Sequence, residues 1–272
     1  MAAISYDSVA QLKNFADRKH ITYVLLSDPD SKIIRAFGIL NETVPANSMA
    51  YGIPYPGTYL VDTSGKVVAK FFEDDFKERT PTMEILERVG GALGSTHATV
   101  EAKQLHLSSF ASTNVVRPNQ RVALFLDIDL MPKMHVYAQG VQGYIAIEWK
   151  MTETAAKFYA VRYPAPEKLR LEVIKETVPV YRGHVRLGED VVIGTEAQVK
   201  PRLNEQGEMV LEGSLHYQAC DDRECYFPET VPLKWTFKFE PLDRERVPAE
   251  IQHKPKSEEP CVAPEREGDE CK

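Results

Sequence analysis

The sequence predicts two folds on one chain: an incomplete α/β segment over residues 1–92 and an all-β sandwich over residues 105–243. Three observations carry this. Up to about residue 92, apolar residues recur at helical spacing between short strand-like runs. From Leu105 onward helical spacing gives way to short runs such as RVALFLDIDL and PLKWTFKFE, which alternate apolar and polar residues and are punctuated by Gly, Pro and Asn. Residues 93–104, LGSTHATVEAKQ, are small and polar and read as the linker between the two textures.

Composition removes several classes of function. A formal net charge of −7 and a sequence pI near 5.6 leave no basic footprint for nucleic acid or an anionic membrane. No apolar run approaches the length of a membrane span, and the first residues lack a basic stretch leading into an apolar one, so neither direct membrane insertion nor a leader peptide is expected.

In the first segment, AAISYD reads as a strand, and Asp7 or Ser8 can cap a helix whose apolar face is Val9, Leu12, Phe15 and Ala16. A strand at Thr22–Leu26 follows. Ser27-Asp28-Pro29-Asp30 then supplies a cap and a proline for a short helix that ends near Gly38. Strands at Thr58–Val61 and Lys66–Phe71 flank a turn at Thr63–Gly65, and a helix is expected at about Pro81–Gly90. This β-α-β-α-β-β-α order is the tail of a thioredoxin-like fold.

The residues AISYDSVAQLKNFADRKHITYVLLSDPDSKIIRAFGI and YGIPYPGTYLVDTSGKVVAKFF resemble the AhpC/TSA type of redoxin, the peroxiredoxin-like family. The resemblance places Pro56 where thioredoxin-like proteins carry a cis-proline beside their active-site disulfide. Residues 1–92 nevertheless contain no cysteine. Peroxide reduction and disulfide exchange need a thiolate, so this stretch cannot turn over by the family mechanism. We therefore expect the chain to be a fragment of a longer product.

The chemistry concentrates in residues 217–232, YQACDDRECYFPETVP. Cys220 and Cys225 sit at the tip of a predicted β-hairpin, and polar, turn-compatible Asp221, Asp222, Arg223 and Glu224 let the two sulfurs face each other. Asp221, Asp222 and Glu224 would raise a thiol pKa, and Arg223 would lower it. A ring this small gains little from chain entropy, so a purely structural staple is the weaker reading and a redox-active couple the stronger one. Zinc held by all four cysteines fits poorly, because Cys220/Cys225 and Cys261/Cys271 lack the usual short knuckle spacing; no metal and no other cofactor is expected. Residues 244–272 are charged and proline-rich, and they are predicted to be disordered.

Tyr217, Gln218, Cys220, Cys225, Tyr226, Pro228, Glu229, Thr230, Val231, Pro232 and Leu233 resemble the active-site hairpin of the N-terminal, immunoglobulin-like domain of the DsbD family of thiol:disulfide interchange proteins. The loop is one residue shorter than the family's. By this resemblance MHVYAQG is the aromatic strand beside the cysteines, with Tyr137 in place of one tyrosine and His135 replacing the other. VPVYRGHVRL is the cap loop, with Tyr181 as the capping ring and Gly183 as its flexible end. The family's acidic pair is missing there, and Glu176 is the nearest carboxylate. The resemblance implies thiol–disulfide exchange with first attack on Cys225, in an extracytoplasmic compartment. It implies as partner a DsbD- or CcdA-like membrane reductant or a thioredoxin-like protein. Two other readings stay open: a peroxiredoxin-type antioxidant enzyme whose catalytic cysteine lies upstream, and a non-catalytic β-sandwich binding module with a structural disulfide.

Overall fold

The computed structural model describes residues 1–72, 96–171 and 175–253, which divide between two compact units. One unit comprises Met1–Arg79 with Arg244–Lys272, and the other comprises Thr80–Asp243.

In the first unit β1 (Ala2–Ser5), α1 (Val9–Lys19) and β2 (Val24–Ser27) form a β-α-β crossover with β1 and β2 parallel. Ser8 and Gln11 close a capping box at the start of α1, each side chain accepting from the other's backbone N–H. Asp28 caps α2 (Lys32–Ala36) by accepting from the N–H groups of Lys32, Ile33 and Ile34 at 2.9–3.0 Å. β3 (Gly57–Val61) and β4 (Val67–Phe72) form a hairpin whose turn is held by Asp62, which accepts from Ser64 and Lys66.

Among the described residues the expected thioredoxin-like sheet is not seen as one sheet: β1 with β2 and β3 with β4 are two separate two-stranded sheets. The physical reason is coverage. A parallel sheet needs both faces buried, whereas Val24, Leu26, Val61, Val67 and Val68 are exposed and, among the described residues of this unit, only Ile34 and Phe71 are buried apolar side chains. The peptide bond before Pro56 is trans, a correction to the cis expectation. Trans is the default for an X–Pro bond unless packing overrides it, and residues 1–92 carry no disulfide to supply that packing. The helix expected near 81–90 lies outside the described residues.

The second unit is a β-sandwich whose strands pair antiparallel except where Lys238 and Phe239 run parallel to Val115 and Val116. β5 (Thr96–Glu101) occupies what was read as linker: its valine and threonines pair with β6 (Leu105–Ala111) and extend the sheet edge. β7 (Val115–Val116), β8 (Arg121–Leu130), β9 (His135–Tyr137), β10 (Glu148–Met151), β11 (Ala156–Phe158), β12 (Glu167–Leu171), β13 (Glu176–Arg182) and β14 (His184–Ile193) follow. After α3 (Glu196–Val199) come β15 (Glu208–Tyr217), β16 (Ala219–Cys220) and β17 (Glu229–Phe239). Three sheets result, in the orders β11-β14-β8-β6-β5, β10-β15-β17-β7 and β12-β13-β9-β16.

Period-two alternation explains the core. Along β17, Val231, Leu233, Trp235 and Phe237 are buried, while Pro232, Lys234 and Lys238 face solvent. These side chains share one cluster with Leu107, Leu124 and Leu126 from the opposite sheet and with Leu211 and Leu215 of β15. Trp235 donates its indole N–H to the Phe110 carbonyl at 2.9 Å and stacks on Trp149, so its polar end is satisfied inside the core. β8 is buried on both faces, because Ala123 and Phe125 form a second cluster with Phe110 behind it.

Residues 244–253 correct part of the disorder expectation. In the first unit His253 stacks on Tyr6 and lies 2.7 Å from Asp7 Oδ1, and Arg18 donates to the Glu245 carbonyl. Among the described residues no helix is long and apolar enough to cross a membrane.

Candidate functional site

The site is built where the hairpin of β15 and β17 changes sheets. Their ladder ends at Tyr217 opposite Glu229. Gln218 breaks the strand, and Ala219 and Cys220 pair instead with Val136 and His135 of β9, in a different sheet. The return is closed by the Tyr226 N–H donating to the Ala219 carbonyl at 2.9 Å and by Gln218 Nε2 donating to the Tyr226 carbonyl at 3.0 Å. Between them Asp221 forms a side-chain turn, its Oδ1 accepting from the N–H groups of Arg223 and Glu224 at 2.7 and 2.9 Å. Those backbone donors, followed by the Tyr226 hydroxyl, hold the Asp221 carboxyl below its ordinary value, so it is ionised beside the cysteines.

Cys220 and Cys225 are joined as a disulfide. The two ends differ in surroundings: Cys220 is 1 % exposed, whereas Cys225 lies at the surface, two positions before Phe227, which is 92 % exposed. Cys220 packs with Tyr137, Val178, Val180, Leu169 and Tyr144 on one face of the β12-β13-β9-β16 sheet. The Tyr137 hydroxyl is 3.8 Å from Cys225 Sγ, and its ring stacks on Tyr144 at 4.3 Å between centroids. The Tyr144 hydroxyl in turn donates to Glu176 Oε2 at 3.1 Å. Burial, with help from Tyr144 and Glu176, pushes the Tyr137 phenol up, so it stays protonated as a donor toward the exposed sulfur. His135 lies directly opposite Cys220 and Arg182 in the ladders and is 1 % exposed.

Two of the expected cap elements are corrected. Tyr181 is not over the disulfide. Successive strand residues face opposite ways, and Val180 packs with Cys220, so Tyr181 points into the main core together with Val136 and Ala219. Its hydroxyl is satisfied there by Gln139 Oε1 and the Pro164 carbonyl at 3.3 and 3.1 Å. Gly183 is a one-residue turn from β13 to β14 rather than a flexible loop end. It holds φ of 61°, a conformation that favours glycine, and its carbonyl accepts from the Leu130 N–H at 2.9 Å. Pro56 belongs to the first unit and the two cysteines to the second. His216 pairs with Thr230 at 2.9 Å on the outer face of the hairpin.

Tyr144 escaped the sequence reading. It sits in the loop before β10, where no periodicity marks it, and only the fold brings it onto Tyr137. Among the described residues no group of three or more His, Cys, Asp or Glu side chains is arranged to hold a metal ion.

Fold and site together define a disulfide-bearing β-sandwich joined to a small α/β unit. The families follow the same division. Residues 1–70 match the AhpC/TSA family and residues 102–234 match the family described as thiol:disulfide interchange protein DsbD, N-terminal. Two proteins of Mycobacterium tuberculosis, from strains CDC 1551 / Oshkosh and ATCC 25618 / H37Rv and provisionally named peroxiredoxin, are each 34% identical over 68 residues, covering 25% of this chain. The chain spans 43% of the length of these relatives. Among solved structures, the N-terminal periplasmic domain of ScsB from Proteus mirabilis aligns with a TM-score of 0.37 and 12% identity, covering 53% of this chain and 51% of that one. The reduced DsbD N-terminal domain of Neisseria meningitidis aligns with a TM-score of 0.26 and 15% identity, over 41% of this chain and 74% of that one.

Proposed function

We propose that this chain carries out thiol–disulfide electron transfer through the Cys220–Cys225 couple. The observation that carries the reading is the asymmetry of the pair: one cysteine at the surface, its partner buried in the sandwich. A partner thiolate attacks Cys225 Sγ, the S–S bond breaks, and its electron pair leaves on Cys220 Sγ while a mixed disulfide forms on Cys225. A second thiolate of the partner then attacks the partner sulfur of that mixed disulfide. Cys225 is released as a thiolate, and the partner is oxidised to its own disulfide. The protons that complete the two thiols come from the partner's thiols by way of solvent.

The match of residues 102–234 to the DsbD N-terminal family supports the same reading and points to thioredoxin-like proteins as partners, with an immunoglobulin-like sandwich as the carrier. The match of residues 1–70 to AhpC/TSA supports a thioredoxin-like redoxin as a natural electron recipient, with any peroxide chemistry residing on a cysteine outside residues 1–92. On this reading the reductant is a membrane protein of the DsbD or CcdA type, and the setting is extracytoplasmic.

The test is a redox titration of the full chain with alkylation and mass readout of each cysteine. A midpoint within the range of exchange proteins, with mixed disulfide trapped on Cys225 in a Cys220→Ser variant, supports the proposal. A pair that stays oxidised under strongly reducing conditions leaves a stapled binding module.

A further inference from the structure

His135 is buried, and neither of its ring nitrogens has a hydrogen-bond partner among the described residues. A neutral imidazole has one N–H donor and one acceptor nitrogen, and leaving both unpaired in an interior destabilises the fold. The molecule keeps this residue at one specific place, directly opposite Cys220 in the β9–β16 ladder. Residues directly opposite in an antiparallel pair share a face, with Cβ atoms about 4.5–5.5 Å apart. β9 thus presents two polar side chains on the face that carries the disulfide, with the Tyr137 hydroxyl 3.8 Å from Cys225 Sγ and His135 directly opposite Cys220.

We propose, on the exchange reading above, that His135 stabilises Cys220 as the leaving thiolate, donating its ring N–H to Sγ when the disulfide opens. The partner thiolate forms the new S–S bond at Cys225, the old bond breaks, and the electron pair stays on Cys220 Sγ. The ring keeps its proton throughout, so charge and electrons balance without an added reactant. A thiolate formed at a residue 1 % exposed has little water to solvate it, and a charge-assisted hydrogen bond replaces that solvation. Exchange speeds up as the leaving thiolate becomes more stable, so the donor acts on the rate.

The charged and titratable groups facing the ring are Arg182 of β13, Asp221 and Asp222 of the cysteine loop, and Tyr137 of its own strand. Burial and Arg182 together lower the His135 pKa against the opposing pull of Asp222 and Asp221, so the resting ring is neutral.

The experiment measures reduction of the oxidised full chain by dithiothreitol, quenched by alkylation and read by mass on the Cys220 and Cys225 peptides. H135F and H135L remove the donor, and H135Q keeps an N–H donor that does not titrate. The expected result is a slowing of about tenfold or more in H135F and H135L, recovered for the most part in H135Q, with thermal unfolding of the apolar variants unchanged or raised. Either apolar variant suffices if the other fails to fold. Wild type and both apolar variants reduced at the same rate, or H135Q as slow as they are, overturns the role of His135 while the exchange reading stands. A wild-type pair that resists dithiothreitol overturns the exchange reading and the role of His135 with it.

Discussion

Cys220 and Cys225 are five positions apart, yet one is an interior residue and the other a surface residue. The spacing and the polar loop between them were legible in the sequence; which one faces solvent was not, because that depends on β16 leaving one sheet for another. Phe227, next to Pro228 and two positions from Cys225, is almost wholly exposed, which suits an aromatic anchor for a protein partner. Phe227→Ala should slow exchange with a thioredoxin-like protein by about tenfold and leave reduction by dithiothreitol unchanged, since the small reagent needs no docking surface. Parallel rate measurements with the two reductants decide this.

A second residue-scale effect concerns Glu189 of β14, which is 4 % exposed and has one carboxylate oxygen without a partner among the described residues. Burial, with Asp190 adding to it, pushes its carboxyl up to about 7. The folded chain therefore holds a proton that the unfolded chain has lost between about pH 4.5 and about 7. Stability falls as pH rises through this window and levels off above it. Glu189→Gln should remove that slope and stabilise the protein at pH 8 by about 2–3 kcal/mol while changing little at pH 4, as read by urea unfolding at both pH values.

At the scale of elements, His135 and Tyr137 of β9 supply the polar face of the site while Val136 between them faces the core, and β17 anchors the hairpin that carries the cysteines. The alternation of β17 was plain in PLKWTFKFE, and Val231, Leu233, Trp235 and Phe237 are the residues the strand buries. Trp235→Ala should cost about 3–5 kcal/mol, because it removes a fully buried indole and its stacking on Trp149, and urea unfolding with an unchanged m-value would check it. The same alternation corrects the cap: Tyr181 and Val180 are neighbours in sequence but face opposite sides of one sheet. A motif likeness places a residue in a strand, and the register then decides which face it serves.

For the whole molecule, closing a loop with a sequence separation of five restrains the unfolded chain only slightly, by about 2 kcal/mol. Reduction should leave the sandwich folded, with near-ultraviolet circular dichroism retained and the urea midpoint lowered by no more than that energy implies. Loss of tertiary signal on reduction would identify a structural staple. A redox couple on a sandwich that keeps its fold in both states can cycle, and the large core shared by β6, β8, β15 and β17 supplies that independence.

The sequence by itself determined the division into an α/β segment and a β-sandwich, the alternation of the long strands, and the position of the cysteine pair, since all of these follow from local period, turn residues and spacing. Only the tertiary structure decided that β1–β2 and β3–β4 stay separate, that Pro56 is trans, that Tyr144 stacks on Tyr137, and that His135 stands opposite Cys220. These depend on which strands meet and in which register. A pairing such as His135 with Cys220, between strands remote in sequence, leaves no period in the chain that makes it.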